Sequence, residues 1–472
     1  MKTFSINSLG CKVNQYEGQQ IRELLERLGL RRVEPSDKPE LVVINSCCVT
    51  HTASSKSRQC IRRIRKQSPD SLIVVSGCLP TVQIGELRPT AQGVHLIGNR
   101  SNLADTLSRI INEKAATLTS QRAQSSPDTI IKPNDSYKIK NKNGETNPQP
   151  PGDSEVPAGM SSDLPPLTSF EGHSRAFLKI QDGCDGYCSY CIVPKARPVV
   201  RNKPASAVLE EAQRLTESGH REIVVTGIFL GAYGQKSVRR KSWPERKNDH
   251  LADLLDKMAK IRNLERIRLS SLEPADLTPR LLGSLCEHRN IMPHLHLSLQ
   301  SGSDKILRKM CRQYGVNEFR EKVESAKSCL DRPAITTDII VGFPGESDAD
   351  FQRTVDLANS IGFAKMHVFT FSRRRGTAAA EMQDTVDGKV IKERSRVLRN
   401  LDVELGLKYR RQFLGQTAAI LIENHNGQIY GRSERYFKVY LKKSETRQER
   451  NRVVEAKLIE NQENGMVGTA AW

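Results

Sequence analysis

Along the first hundred residues the apolar positions alternate between two periods. Short apolar runs at Thr3–Leu9, Leu41–Asn45, Leu72–Val75 and Val94–Ile97 have the length and flanking turn residues of buried strands. Between them, Gln15–Leu28 places Ile21, Leu24, Leu25 and Leu28 at spacings of three and four, and Ser54–Arg65 gathers Arg58, Arg62 and Arg65 on one polar face, so both read as helices. Strands alternating with helices predict a parallel sheet, and such sheets bind ligands beyond the carboxyl ends of their strands. The alternation resumes with strands expected at Ala176–Gln181, Glu222–Gly227, Arg266–Ser271, His294–Gln300, Thr337–Phe343 and Lys365–Phe371. Helices are expected between them at Ala205–Ser218, Leu251–Ile261, Val316–Ser328 and Asp350–Ile361. Six such units predict an incomplete barrel of parallel strands, open on one side. From Thr417 to Trp472 the period falls to two in several short runs, which predicts a small antiparallel barrel of oligonucleotide-binding type. The expected class is α/β: an N-terminal parallel α/β domain over 1–114, a central open barrel over 170–410 and a C-terminal β-barrel over 411–472. Residues 115–169 are rich in Ser, Pro, Asn, Asp, Gly and Lys without apolar periodicity, and predict a disordered linker.

Chemistry concentrates at the predicted strand ends. Directly after the strand at Ala176, Cys184, Cys188 and Cys191 follow a C-x3-C-x2-C spacing in a Gly-containing loop. No fourth cysteine stands nearby and His173 lies on the other side of the strand, so a closed tetrahedral zinc site fits poorly. An iron-sulfur cluster held by three thiolates, with one iron left open, fits better. Cys11, Cys47 and Cys78 each end a different N-terminal strand at the same sheet edge, where parallel strands bring their loops together, and form a second candidate cluster site. Cys48, Cys60, Cys286, Cys311 and Cys329 read as ordinary thiols. At the ends of the central strands, Thr226, Gly227, Ser271, Gln300 and Gly342 are candidate cofactor contacts, because small residues let the backbone approach a ligand. Arg373, Arg374 and Arg375 close the last of these strands and are candidates for anionic groups of a substrate.

Composition narrows the class of partner. With 73 Lys and Arg against 54 Asp and Glu, the 472-residue chain carries a formal charge of +19, which favours a polyanion such as RNA. The loop Gln235–His250 adds Lys236, Arg239, Arg240, Lys241, Arg246 and Lys247 beside Trp243 as a candidate RNA-facing lip. Eleven cysteines, six with metal-ligand placement, suit a reducing cytoplasm better than a disulfide framework. No run approaches 18 apolar residues, so no membrane partner is expected.

The C-x3-C-x2-C loop with Tyr190 before its last cysteine resembles the radical S-adenosylmethionine (SAM) enzymes. That resemblance implies a 4Fe-4S cluster whose open iron chelates SAM, with Tyr190 against the adenine. Further segments are similar to one family: LGCKVNQYE at Leu9–Glu17, NSCCVT at Asn45–Thr50, KIQDGC at Lys179–Cys184, TGIFLGAYG at Thr226–Gly234, SSLEP at Ser270–Pro274, HLSLQSGSD at His296–Asp304, TTDIIVGFPGES at Thr336–Ser347 and SRRRGTAAA at Ser372–Ala380. In this order they resemble the methylthiotransferases, most nearly the branch that acts on N6-threonylcarbamoyladenosine of tRNA. The resemblance implies that the C-terminal barrel is a TRAM domain and that Cys11, Cys47 and Cys78 hold an auxiliary 4Fe-4S cluster. It also implies the division of chemistry: one SAM methylates a sulfur held on the auxiliary cluster, and a second, cleaved with electrons from an external donor, yields the radical that opens carbon 2 of the adenine to the methylthio group. The sulfur donor is left open. The chain departs from the family pattern at Ala196-Arg197-Pro198, where a glycine usually follows the arginine, and at Thr226-Gly227-Ile228, a loose counterpart of the Gly-Gly-Glu that contacts SAM. Two other readings stand beside this one: methylthiolation of isopentenyladenosine in tRNA or of a ribosomal-protein aspartate, and a non-catalytic RNA-binding metalloprotein.

Overall fold

The computed structural model describes residues 1–87, 93–98, 102–123, 164–243, 248–425, 428–441 and 451–471. Its N-terminal part is a parallel sheet of β1 (Thr3–Ser8), β2 (Arg31–Arg32), β3 (Leu41–Ser46), β4 (Leu72–Gly77) and β5 (His95–Leu96), in the order β2-β1-β3-β4-β5. It is flanked by α1 (Lys12–Arg27), α2 (His51–Gln67), α3 (Cys78–Leu87) and α4 (Leu103–Ala123). Every residue of β3 is buried because both faces are covered. Leu41 and Val43 share a core with Ile21, Leu25 and Leu107, whereas Val42 and Ile44 pack with Ile61 and Ile64 of α2. Helix α1 starts at Lys12, ahead of the expected Gln15, because its first turns bury polar Asn14 and Glu17, which carry no apolar period.

The central part contains β6 (Arg175–Asp182), α5 (Val193–Ala196), β7 (Arg201–Asn202), α6 (Ala205–Glu217), β8 (Glu222–Gly227), α7 (His250–Met258), β9 (Arg266–Leu269) and β10 (Ser271–Leu272). It continues through α8 (Pro279–Glu287), β11 (His294–Leu297), α9 (Asp304–Lys309), α10 (Val316–Cys329), β12 (Ala334–Val341), α11 (Asp348–Ile361), β13 (Lys365–Thr370) and α12 (Gly388–Arg411). The strands form two sheets, β7-β6-β8-β9 and β10-β11-β12-β13, parallel except for β7 and joined by a bridge between Ile267 and Ile291. Together they curve into the open barrel expected from the pattern. The C-terminal strands β14 (Thr417–His425), β15 (Gln428–Ser433), β16 (Lys438–Leu441), β17 (Val453–Gln462) and β18 (Gly465–Ala471) close in the order β14-β15-β16-β18-β17. This barrel is not wholly antiparallel: β16 and β18 pair in parallel, which the alternating pattern alone does not encode.

Two expectations need correction. The linker is shorter than 115–169, since α4 continues to Ala123 and, at the other end, Leu164 and Leu167 are buried. Residues 124–163, the rest of the expected disordered stretch, lie outside the described residues. Cys286 and Cys329, read as free thiols, form a disulfide between α8 and α10; neighbouring helices bring their Cα atoms to 6.4 Å.

The N-terminal and central parts are joined by buried charge. Glu17 on α1 accepts from Lys179 of β6 at 2.8 Å and from both terminal nitrogens of Arg197 at 2.8 and 2.9 Å, and Arg197 also donates to Asn14 and Asp182. Nearby, Tyr16 donates to Glu211 at 2.7 Å, and Glu211 also pairs with Lys203. Removing one member of such a network leaves its partners charged and dry. The variant Glu17→Ala is therefore expected to lose about 3–5 kcal/mol, read from the shift of its urea unfolding curve.

The C-terminal barrel is seated by a similar device. Arg266 and Arg268 of β9 share the buried carboxylate of Glu222 and donate to the carbonyls of Arg432, Ser433 and Glu434. Burial works to raise the Glu222 pKa, but Arg268 and Arg175 outweigh it and hold the carboxyl at about 2.

Candidate metal centre and active cavity

The first cysteine set is built by three strand ends. β1 leads to Gly10-Cys11, β3 to Cys47, and β4 to Gly77-Cys78, where α3 begins. Gly10 and Gly77 adopt φ of +96° and +94°, and a Cβ there would stand 2.5 Å from Cys47 Cβ and 2.3 Å from the Ser46 carbonyl oxygen, respectively. Only glycine lets these strand ends come so close. Asn14 draws them together, its Nδ2 donating at 2.9 Å to the carbonyls of both Leu9 and Ser46. Cys47 and Cys78 are buried, and Cys11 is exposed. Burial pushes the Cys47 thiol up to about 11, opposed in part by the positive charge of Arg197.

The second set follows β6. The backbone N–H of Cys184 donates to the Arg197 carbonyl at 2.8 Å. Each sulfur accepts one hydrogen bond: Gly186 N–H to Cys184 at 3.3 Å, Val193 N–H to Cys191 at 3.4 Å, and Arg312 Nη1 to Cys188 at 3.2 Å. Burial raises the Cys184 and Cys191 thiols to about 12, so taking up a metal must displace their protons. The hydrogen bonds then stabilise the thiolates and help set a cluster's potential.

Among the described residues, neither cysteine set has its three sulfurs all within 4.8 Å of one another; His296, Asp338 and His367 alone meet that spacing. Wide sulfur triangles suit a cluster, where each thiolate holds a different iron, rather than one tetrahedral zinc. The residues therefore fit 4Fe-4S clusters. The His296, Asp338 and His367 set shares a cavity with Lys12 and Arg268, whose charge opposes a divalent cation.

A cavity of about 150 Å³ adjoins the second set, lined by Cys184, Cys188, Cys191, Tyr190, Ser271 and Gln300 among others. Three of the expected cofactor contacts are therefore brought together: Tyr190, Ser271 and Gln300. Thr226, Gly227 and Gly342 are not. Thr226 is buried, Gly227 backs onto Gln181, and Gly342 turns toward Ile391 while its N–H meets the Glu346 carboxylate, so these three shape strand ends. The arginine triplet also separates. Arg374 is buried and braces the N-terminal part through the Cys48 carbonyl at 2.6 Å and Ser54 Oγ at 2.9 Å, Arg373 donates to the Met382 carbonyl, and Arg375 is exposed. Arg374 therefore binds protein rather than substrate.

Several wall residues were not anticipated. Glu273 holds Arg312 at 2.6 Å and Arg240 at 2.8 Å, while Asp276 takes the other end of Arg240. Arg240, expected on an RNA-facing lip, is instead held against two residues of the cavity wall, Glu273 and Asp276; Arg246 and Lys247 lie outside the described residues. Cys311, read as an incidental thiol, lines the same cavity. The SSLEP segment carrying Glu273 was the available signal.

A larger cavity of about 840 Å³ fills the open barrel against the C-terminal barrel. Ser271 lines both cavities, and Lys12, next to Cys11, lines the larger one. Tyr436, in the turn between β15 and β16, reaches into it and stacks on His294 with ring centroids 4.5 Å apart. Burial works to raise its pKa, but Arg175, Arg432 and Lys12 outweigh it and bring the phenol down to about 8. One tyrosine is thus expected to titrate near pH 8 by near-ultraviolet difference absorbance, and to vanish in Tyr436→Phe. Because the folded value lies below the ordinary 10.0, this phenolate adds stability as pH rises from about 8 to 10.

Comparison with known proteins agrees with this geometry. Residues 178–358 match the Radical SAM superfamily, and residues 3–98 match an uncharacterised protein family, UPF0004. The chain is 36% identical to the threonylcarbamoyladenosine tRNA methylthiotransferase MtaB of Chlamydia pneumoniae, over 92% of this chain and 90% of that one. It is 32% identical to the protein of the same name from Bacillus subtilis, over 94% and 91%. It is also 31% identical to a tRNA-2-methylthio-N(6)-dimethylallyladenosine synthase of Pelotomaculum thermopropionicum, over 92% and 90%. The radical SAM methyltransferase TsrM of Kitasatospora setae, solved with tryptophan and a SAM analogue, shares the fold with a TM-score of 0.52 at 13% identity, over 90% of this chain and 79% of that one. With identity above 30% along nearly the whole of both chains, this protein belongs to the radical SAM methylthiotransferases, enzymes that use SAM and 4Fe-4S clusters.

Proposed function

We propose that the chain converts N6-threonylcarbamoyladenosine at position 37 of tRNA to its 2-methylthio derivative. One observation carries the reading: the 840 Å³ cavity meets Cys11 through its neighbour Lys12 and the second cysteine set through Ser271, so one base can lie within reach of both. Cys11, Cys47 and Cys78 hold the auxiliary cluster, Cys184, Cys188 and Cys191 hold the other, and Tyr190, Ser271 and Gln300 contact SAM. When bound, these groups supply the radical and the sulfur-containing group. The chain's own residues exclude water, hold the thiolates and orient the base. Reaching carbon 2 requires an unstacked nucleotide, which an anticodon loop provides.

The domain division we assign is 1–123, 164–410 and 411–472, the last a TRAM-type barrel that holds the tRNA backbone. An external electron donor is required. We assign the enzyme to the cytoplasm, and no described helix is long and apolar enough to cross a membrane. The names of the MtaB relatives support the threonylcarbamoyl substrate. The N6 substituent in the name of the Pelotomaculum relative, dimethylallyl, is a hydrocarbon group, and eight Lys and Arg against two carboxylates on the cavity wall are a poor setting for it. Mass spectrometry of tRNA nucleosides from cells lacking the protein tests the reading. 2-Methylthio-N6-threonylcarbamoyladenosine should disappear, with its unmethylthiolated precursor in its place; loss of the dimethylallyl derivative instead would overturn it.

A further inference from the structure

The large cavity is cationic beyond what its neighbours neutralise. Arg175, Arg268, Lys365 and Arg435 on its wall are each paired with a carboxylate, through Glu423, Glu222, Asp402 and Asp331. The others are not equally matched. Among the described residues Lys12, on the cavity wall, has no hydrogen-bond or ion-pair partner. Arg432 stands 3.7 Å from Glu423, and its buried Nε has no hydrogen-bond acceptor. A buried donor without an acceptor costs stability unless a ligand completes it.

Tyr436 points to the same place. It holds φ at +72°, a left-handed conformation strained for a bulky side chain. The strain aims its ring between Arg175 and Arg432, whose guanidinium carbons lie 5.3 and 4.5 Å from its centroid. Its hydroxyl accepts from Arg175 Nη1 at 3.3 Å, which leaves the hydroxyl proton free to donate. An acceptor-only group is what these donors lack.

We propose that this cavity receives the anionic end of the N6 substituent of the substrate adenosine, with Lys12 and Arg432 binding its carboxylate and Tyr436 donating to it. The assignment rests on the threonylcarbamoyl reading above. A backbone phosphate offers the same chemistry, but these donors share one cavity with Lys12, which directly follows Cys11, and with Ser271, which also lines the cavity of the second cysteine set.

The test is binding of full-length Lys12→Met, Arg432→Gln and Tyr436→Phe to two forms of one tRNA, with N6-threonylcarbamoyladenosine or plain adenosine at position 37. Thermal unfolding midpoints certify that each variant folds, and Tyr436→Phe keeps the stacked ring if the arginine variant does not. The wild type should prefer the modified tRNA by about tenfold or more, the scale of one charged hydrogen bond. Lys12→Met and Arg432→Gln should each bring that ratio close to one, and Tyr436→Phe should reduce it about threefold. Equal weakening on both tRNAs with the ratio intact would assign the donors to a phosphate and overturn the inference alone. A wild type that shows no preference, with a different nucleoside lost in the deletion strain, would overturn the substrate reading and this inference together.

Discussion

Replacing Cys184, Cys188 and Cys191 together with alanine should abolish formation of 5'-deoxyadenosine from SAM and halve the iron bound after anaerobic reconstitution, from about eight atoms to about four. The effect is all-or-none because these three sulfurs, one hydrogen bond on each, surround the cavity that Tyr190, Ser271 and Gln300 complete. The fold should survive, since the loop is anchored independently by Ser189, which donates to the carbonyls of Met310 and Lys309. Iron analysis and chromatography of the cleaved nucleoside read the outcome. A triple variant that still cleaves SAM would show the cofactor assignment to be wrong.

The companion experiment removes Cys11, Cys47 and Cys78. Cleavage of SAM should persist while methylthiolated nucleoside falls below detection, because these sulfurs belong to a separate sheet and take no part in the wall of the smaller cavity. Cys47 and Cys78 are also buried, so the variant is expected to be less stable than the first. Loss of both activities in a folded protein would mean one shared site.

Both experiments concern residues that were legible from spacing alone. Cysteines ending three parallel strands must share an edge, and a C-x3-C-x2-C loop is short enough to be read locally. The larger cavity was not legible in that way. Lys12 comes from α1, Arg268 from β9, Arg432 from β15 and Tyr436 from a turn, so no window of sequence contains two of its walls except the last pair. Arg374 shows the opposite failure. A basic triplet at a strand end invites a phosphate, yet the middle side chain points back into protein because α2 starts beside it, with Ser54 as acceptor. Gly342 failed for a related reason: a glycine marks a tight backbone position, but here the tightness is against Ile391 rather than toward a ligand. Leu164 and Leu167 were absorbed into a linker because two apolar residues in a polar stretch make no period, although they fill gaps against the N-terminal and central cores.

Arg197 touches both metal-binding regions at once. Its carbonyl fixes the N–H of Cys184, while its guanidinium is bound to Glu17 and Asn14 of α1 and its charge reaches Cys11 and Cys47. One residue therefore acts as a ruler: the gap between the two sites is gauged by the length of a single arginine side chain and not by a hinge. A lysine there would keep the charge but lose the planar fork that grips Glu17 and Asn14 together, and the spacing would become a variable instead of a constant.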